Sequence, residues 1–412
     1  MAGTSAPGSL AGGPAAALRL LSPGDPAPTF IAASNVNPRF NFASAAGRYI
    51  VLCFFGGTRH PIGGSLIETV QTHGEFFLNP DFYFFGVALD REDRNRPSLT
   101  TKAPGMDIFW DSDGAVARLY NLLAADLTAQ AAASSAAFRP VTYVLDCNLR
   151  ILAIVAEPDG KAQAMTVMSL LRQLPPLPPP RPFQPQAPVL VLPHLFEPAL
   201  CRRLIDGYNA SEPIESGYMV ERDGKTVQVV DHRHKRRSDW TIIDETLRQA
   251  IRDRIMRRLV PEIHKAFNFQ VTRMERYLVA CYDAEAGGYF RPHRDNTTKG
   301  TAHRRFAVTV NLNAGDYEGG DLAFPEYGRV TYRAPTGGAV VFSCSLLHEA
   351  RAVTKGRRYA FLPFLYDEAA ARQREANNPY LEGEASYRAA SDQTGGATPF
   401  ADFVPPEDKQ NR

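Results

Sequence analysis

The chain has no run of about 18 apolar residues, so a membrane-spanning helix is not expected. It also has no Cys-x-x-Cys pair. Its five cysteines (Cys53, Cys147, Cys201, Cys281 and Cys344) are odd in number, and each lies in or beside an apolar stretch. This argues against a paired-cysteine redox motif and suggests reduced, mostly buried thiols in a reducing compartment, with the cytoplasm as the expected location. Charge of one sign is scarce as well: the formal net charge is +2 over 412 residues. Bulk electrostatics therefore give no reason to expect a nucleic-acid partner. The first twenty residues lack a basic segment followed by a continuous apolar core, so 1–20 is expected to be a flexible tail rather than a secretory signal.

Proline, in contrast, is concentrated. Leu174-Pro-Pro-Leu-Pro-Pro-Pro-Arg-Pro-Phe-Gln-Pro-Gln-Ala-Pro188 is the sharpest composition break. Proline fixes φ and has no N–H to donate, so 175–188 should be an extended spacer between folded halves. The expected division is a domain over 21–174, this linker, a second domain over 189–367, and a polar tail over 368–412 that starts with a helical pattern at Glu368–Glu375.

In the first half, Arg48–Phe55, Tyr83–Leu89 and Thr142–Leu145 read as buried strands, the last continuing as a hairpin into Arg150–Val155. Ser65–His73 and Lys161–Gln173 read as helices, giving an α/β layer fold. Gly24-Asp-Pro-Ala-Pro-Thr-Phe30, Gly47-Arg-Tyr-Ile-Val-Leu-Cys-Phe-Phe55 and Thr142-Tyr-Val-Leu-Asp146 resemble the peroxiredoxin branch of the thioredoxin fold. That family attacks peroxide with a cysteine after a Thr-Pro turn. This chain has Thr58-Arg-His-Pro61-Ile-Gly63-Gly64, with glycine at the approximate place of the nucleophile. Cys53 is the only nearby thiol, and a mid-strand apolar setting raises its pKa and blocks peroxide. A redox-inactive docking module is expected. Arg59 and His60 read as a polar loop, with a remnant anion pocket as the sharper alternative.

The second half is strand-rich. After a strand end followed by a helix over Leu195–Asp206 and an amphipathic helix over Thr246–Leu259, short strands are expected at 276–282, 305–312, 321–324, 328–332, 339–343 and 358–362, with turns at Gly319-Gly320 and Gly337-Gly338. That spacing indicates a β-sandwich or jelly roll. Within it stand His293-Arg-Asp295, His348 and Arg358. Residues i and i+2 of a strand share a face, so His293 and Asp295 can converge on one ion, and His348 would close the site from another strand. Two imidazoles and one carboxylate occupy one face of an octahedral iron and leave three positions open. No acid is an obvious neighbour of Arg358, so a ligand carboxylate would be its counter-ion. His-Arg-Asp also occurs in kinase catalytic loops, but the other kinase elements are absent.

Leu278-Val-Ala-Cys-Tyr282, Gly288-Tyr-Phe-Arg-Pro-His293-Arg-Asp295-Asn296, Asn311-Leu-Asn313, His348-Glu349 and Arg358-Tyr-Ala360 resemble the prolyl 4-hydroxylase-like Fe(II)/2-oxoglutarate-dependent dioxygenases, particularly the oxygen-sensing prolyl hydroxylases of animals. The resemblance implies a double-stranded β-helix (jelly-roll) domain. It also implies iron ligation by His293, Asp295 and His348, an Arg358 pair with the distal carboxylate of 2-oxoglutarate, and Tyr282 as a pocket hydrogen-bond donor. Fe(II) would be the metal, 2-oxoglutarate and O2 the co-substrates, and ascorbate a further candidate cofactor. Arg357 is a rival to Arg358, and strand alternation lets only one face inward. Asn311 stands where the oxygen-sensing enzymes have a second tyrosine, so the co-substrate pocket is expected to differ there. The retained Asp295 disfavours halogenation, which needs that position for chloride.

The basic stretch Asp231-His-Arg-His234-Lys-Arg-Arg237-Ser-Asp-Trp240 reads as a solvated loop, with a substrate-covering segment using Arg236 and Arg237 as the sharper alternative. His303 beside Arg304 and Arg305 reads as a loop entering a strand. The expected function is a multidomain α/β plus β oxygenase that hydroxylates a prolyl or other amino-acid residue of a protein, peptide or amino-acid substrate. Its rivals are a redoxin-type interaction protein with a degenerate oxygenase site and a bifunctional peroxidase-oxygenase.

Overall fold

A computed structural model describes residues 21–101, 103–124, 126–135, 138–180, 182, 185–382 and 387–389. The tail expected over 1–20 lies outside the described residues. The chain divides into two compact units between Pro180 and Arg181, within the proline-rich stretch.

In the first unit, β1 (Tyr49–Gly56) is buried along its whole length, as a continuous apolar run requires of a strand covered on both faces. It leads into α1 (Pro61–Thr72), then β2 (Phe82–Ala88), β3 (Met106–Trp110), β4 (Val141–Leu145), β5 (Ile151–Val155) and α2 (Gly160–Gln173). The sheet order is β3-β2-β1-β4-β5. The pairs β3–β2 and β2–β1 are parallel, while β1–β4 and β4–β5 are antiparallel. Helix α1 starts a turn before the expected Ser65. Gly63 and Gly64 disfavour a helix by propensity, but Pro61 at its first turn and the His60 side chain as its cap overcome that.

In the second unit, β6 (Leu190–Leu192) and α3 (Pro198–Asn209) precede β7 (Ile214–Glu215) and the hairpin β8 (Tyr218–Arg222) and β9 (Lys225–Val229). Asp223 and Gly224 both have positive φ at its tip (50° and 74°), the two-residue turn that an Asp-Gly pair favours. Then come β10 (Lys235–Arg236), β11 (Ser238–Thr241), α4 (Glu245–Arg254) and α5 (Val260–Phe267). The single helix expected over 246–259 instead runs through a π-turn at Ile255–Leu259 into α5. That widened turn stands where Pro261 removes a helical hydrogen bond.

The strands that follow are β12 (Arg273–Glu275), β13 (Leu278–Asp283), β14 (Tyr289–His293), β15 (Phe306–Asn311), β16 (Leu322–Ala323), β17 (Thr331–Tyr332), β18 (Ala339–Ser343), β19 (His348–Ala350), β20 (Arg357–Phe361) and β21 (Phe364–Tyr366). A nine-stranded sheet runs β12-β21-β15-β20-β13-β11-β7, with β18 paired to β15 and β6 to β18. A second sheet runs β10-β14-β19-β16-β17. Helices α3 to α5 cover one face of the larger sheet. There Leu247, Ile251, Ile255 and Leu259 pack with Val279, Val308, Val310 and Phe361, each such side chain stabilising by about 1.5–3 kcal/mol on burial. Alternation turns Ala280, Tyr282 and Thr309 to the opposite face.

The polar tail expected from 368 is folded at its start. Helix α6 (Glu368–Ala376) buries Ala370 and Ala371 and pairs Glu368 with Arg273 at 2.8 Å. Beyond it, Asn377 Nδ2 donates to the Lys299 carbonyl (2.7 Å), Lys225 Nζ donates to the Pro379 carbonyl (2.6 Å) and the Glu382 N–H donates to the Thr226 carbonyl (3.2 Å). The chain after α6 thus holds the β8–β9 hairpin. Residues 383–386 and 390–412 lie outside the described set. No helix among the described residues is long and apolar enough to cross a membrane.

Candidate metal centre

Strand β14 pairs with β19 in a register that sets His293 directly opposite His348. The ladder ends at His293, so Asp295 does not continue the strand face as expected. It is aimed instead by its backbone N–H, which donates to the Cys344 carbonyl at 3.0 Å. One ligand atom from each of His293, Asp295 and His348 lies within 4.8 Å of the others. His293 Nε2 stands 3.5 Å from Asp295 Oδ1, and His348 Nε2 stands 3.3 Å from Asp295 Oδ2.

The other ring nitrogens fix the tautomers. His293 Nδ1 lies 2.8 Å from the Arg291 carbonyl, and His348 Nδ1 lies 3.0 Å from that of Leu346. A carbonyl only accepts, so Nδ1 carries the proton and the Nε2 lone pairs face Asp295. Burial, then His348, holds the His293 imidazole below its ordinary pKa. Burial alone would push the Asp295 carboxyl up; the two imidazoles, His348 first, outweigh it and hold it well below the ordinary carboxylate range. Neutral imidazoles and a carboxylate converging lone pair to lone pair suit a shared cation, and this donor set fits Fe(II). Phe290 stacks on His293 (centroids 3.5 Å apart), and Phe342 meets His348 edge-on (4.6 Å), so both rings are held by packing as well as hydrogen bonds.

A cavity of about 290 Å³ opens on these residues and also reaches Tyr282 and Arg358. Cross-strand register explains which arginine faces inward. Tyr282 lies opposite Arg358, and Asp283 lies opposite Arg357. Arg357 points outward and pairs with Asp283 at 2.7 Å. Arg358 is buried beneath the Tyr282 ring, 5.2 Å from its centroid. It has no carboxylate partner among the described residues, and its Nε lacks any hydrogen bond.

Tyr317, which the sequence reading does not single out, places a buried and unsatisfied hydroxyl near Arg358. Burial pushes that phenol's pKa up, and Arg358 pulls it back. Asn311 is not part of the cavity wall; its Nδ2 donates to the Ala334 carbonyl at 2.7 Å.

The basic stretch 231–240 is a solvated turn only at its start, where His232 and Arg233 are exposed. Lys235 is buried in β10, and Arg237 is buried at the step between β10 and β11. Arg237 binds Asp239 at 2.6 Å and donates to the Tyr282 hydroxyl at 3.4 Å, whereas Arg236 reaches only backbone carbonyls of His232 and Ala286. His303 does lie in the loop that leads into β15. It is buried against Glu275, whose carboxylate also binds Arg304 at 2.6 Å. The β8–β9 hairpin contributes Tyr218 and Met219 to the cavity wall; its Asp223-Gly224 pair was the available signal.

The corresponding region of the first unit is closed. His60 is buried. Its Nδ1 accepts from the N–H groups of Ile62 (3.2 Å) and Gly63 (3.0 Å), and its Nε2 meets the carbonyls of Ser135 and Phe138, each at 3.0 Å. Arg59 is exposed in the turn before α1, as a polar loop expects, and its pairing with Asp90 at 2.7 Å argues against the remnant anion pocket. A Cβ on Gly63 would lie 1.8 Å from the Phe55 carbonyl oxygen. Cys53 is fully buried, and burial pushes its thiol up to about 12.

Residues 277–366 match the 2OG-Fe(II) oxygenase superfamily. A PKHD-type hydroxylase of Synechococcus sp. (strain JA-2-3B'a(2-13)) is 34% identical over 89 residues, which are 20% of this chain; the chain spans only 39% of that relative's length. Among solved structures, a Trichoplax adhaerens prolyl hydroxylase bound to a hypoxia inducible factor peptide aligns at 18% identity and TM-score 0.36, covering 46% of this chain and 86% of that one. A yeast mitochondrial 1-Cys peroxiredoxin aligns at 18% identity and TM-score 0.30, covering 37% of this chain and 77% of that one.

Proposed function

We propose that the protein is an Fe(II)- and 2-oxoglutarate-dependent dioxygenase that hydroxylates a prolyl or other amino-acid residue. The observation that carries this reading is the convergence of His293, Asp295 and His348 in a cavity shared with Arg358, a buried cation that has no carboxylate among the described residues. In this reading the first three hold the metal, and Arg358 takes the distal carboxylate of 2-oxoglutarate by a bidentate pair. Tyr282 donates a hydrogen bond to the same co-substrate, with Arg237 behind its hydroxyl. Fe(II), 2-oxoglutarate and O2 together supply the oxidising power, 2-oxoglutarate leaving as succinate and carbon dioxide.

The protein's part is orientation and exclusion of water. Phe290 and Phe342 lock the imidazoles. The Nδ1–H bonds to Arg291 and Leu346 keep both Nε2 atoms available as ligands. Asp295 retains the carboxylate that a halogenating site would lack, which favours hydroxylation. We take the two larger sheets of the second unit as the two halves of a double-stranded β-helix within 189–367, and the first unit, 21–174, as a thioredoxin-like docking module without peroxidase activity. Five free cysteines, four of them buried, suit a reducing compartment such as the cytoplasm.

The test is aerobic incubation with Fe(II), 2-oxoglutarate and candidate peptides, monitoring succinate and a one-oxygen mass gain. Identical behaviour of wild type and His293→Ala sinks the reading.

A further inference from the structure

We infer that the cavity holds a second anion site, centred on Arg276, which takes a carboxylate of the substrate. The inference rests on the functional reading above, in which Arg358 is used by 2-oxoglutarate.

Most cations of the cavity wall are matched. Arg237 has Asp239, Arg304 has Glu275, Arg294 has Glu326, and the Lys235 ammonium is hydrogen-bonded to Ser216 Oγ and the Gly217 carbonyl. Arg276 differs. Its guanidinium lies 5.1 Å from the centroid of the Phe364 ring and makes no hydrogen bond among the described residues. Its nearest carboxylate, Glu275, is 3.9 Å away and already engaged by His303, Arg304 and Arg374. Burial, with Arg304 next and Arg237 also near, pulls the Arg276 pKa down to about 10 against the opposing pull of Glu275 and Asp239, and the side chain keeps 28% exposure toward the cavity and solvent. The site is therefore short of negative charge, and an added anion relieves it.

The backbone gives an independent indication. Arg276 has φ +72°, a left-handed conformation that costs a residue with a Cβ about 1–2 kcal/mol. It joins β12 to β13, and glycine or asparagine would make that turn with less strain. A long cation kept in such a conformation at a cavity is the pattern of strain retained for a site's work. A guanidinium fork matches a planar carboxylate. A cavity of about 290 Å³ is at the small end of ligand sites, suited to the co-substrate and one small acidic group. That group is either the α-carboxylate of a free amino acid or the side chain of an acidic residue beside the oxidised one in a peptide.

Two probe pairs separate these sources: L-proline against L-prolinamide, and the capped peptide Ala-Ala-Pro-Asp-Ala against its Asn counterpart. Each is titrated by intrinsic fluorescence into anaerobic protein loaded with Fe(II) and 2-oxoglutarate. The carboxylate member of one pair should bind at least about tenfold tighter, as one charge-assisted contact provides. That ratio should fall to about one in Arg276→Gln and be largely kept in Arg276→Lys. Arg276→Asn, which suits the left-handed backbone, should lose the preference without a lower thermal midpoint. Equal or undetectable binding within both pairs overturns the inference, as does a preference that survives in Arg276→Gln. Failure of the underlying dioxygenase reading shows differently, as no succinate above the His293→Ala background.

Discussion

The start of α1 and the end of β14 both gather polar groups where the sequence suggests chemistry, and the two places treat those groups in opposite ways. At α1, His60 Nδ1 accepts the free N–H groups of the first turn, its Nε2 meets two carbonyls, and Arg59 is bound to Asp90. Little is left over to bind anything else. At β14, lone pairs of His293, Asp295 and His348 point at one another, and Arg358 is buried without a counter-charge among the described residues. Polar groups that satisfy one another hold a fold, whereas groups that cannot do so are ready for a ligand. The nearby Glu275 cluster belongs to the first kind, although it stands in the second unit.

Removing a metal ligand should have the largest effect. His293→Ala or Asp295→Ala should lower succinate formation by about a thousandfold, since a bound metal supplies several kcal/mol to the reaction; appreciable residual turnover would erase the contrast between the two regions. Glu275→Gln should destabilise the second unit by about 3–5 kcal/mol, the cost of breaking a buried ion pair, measured by urea unfolding. The folded Glu275 carboxyl is held well below its ordinary 4.5; burial opposes this, but Arg304 and then His303 outweigh it. Its stabilisation is therefore complete above about pH 4.5, is lost as the pH falls, and should be absent from the acid limb of the variant.

Arg358→Gln should weaken 2-oxoglutarate binding by about ten- to a hundredfold, for a lost charged hydrogen bond of about 1.5–3 kcal/mol, read as a raised KM. Gly63→Cys should cost the first unit about 1–3 kcal/mol through overpacking, lowering its melting transition without giving peroxide consumption. Thiol-dependent peroxide turnover in that variant would mean that the α1 start is not closed. Arg357→Gln should be the mildest, within about 1 kcal/mol for an exposed pair with Asp283, and should leave the KM for 2-oxoglutarate unchanged.

The long apolar strands were legible because burial on both faces leaves a continuous run, as at Tyr49–Gly56. His293, Asp295 and His348 were legible by spacing and, with Arg358, by the resemblance to prolyl 4-hydroxylase-like dioxygenases, and the structure brings the four to one cavity. The start of α1 was hidden because two glycines argue locally against a helix that His60 and Pro61 favour. Lys235 looked like solvated charge because its partners Ser216 and Gly217 lie 19 and 18 residues away, and Arg237 did because Tyr282 lies 45 residues away, although Asp239 is only two residues on. Tyr317 and Arg276 carried no motif at all. One is notable for a missing hydrogen bond and the other for a left-handed backbone, and neither property can be seen before the chain is folded.

The stretch after α6 sets a mechanical boundary that the chemistry does not reveal. A chain stopped at Ala376 would keep α6 and every proposed ligand of iron and 2-oxoglutarate. It would lose the contacts of Asn377, Pro379 and Glu382 with Lys299, Lys225 and Thr226. The β8–β9 hairpin, and with it the wall formed by Tyr218 and Met219, would then be held near its tip chiefly by the Gly300 N–H, which donates to Thr226 Oγ1 at 2.9 Å. Such a shortened enzyme should still consume 2-oxoglutarate but grip its second substrate poorly, so that co-substrate turnover and product formation come apart.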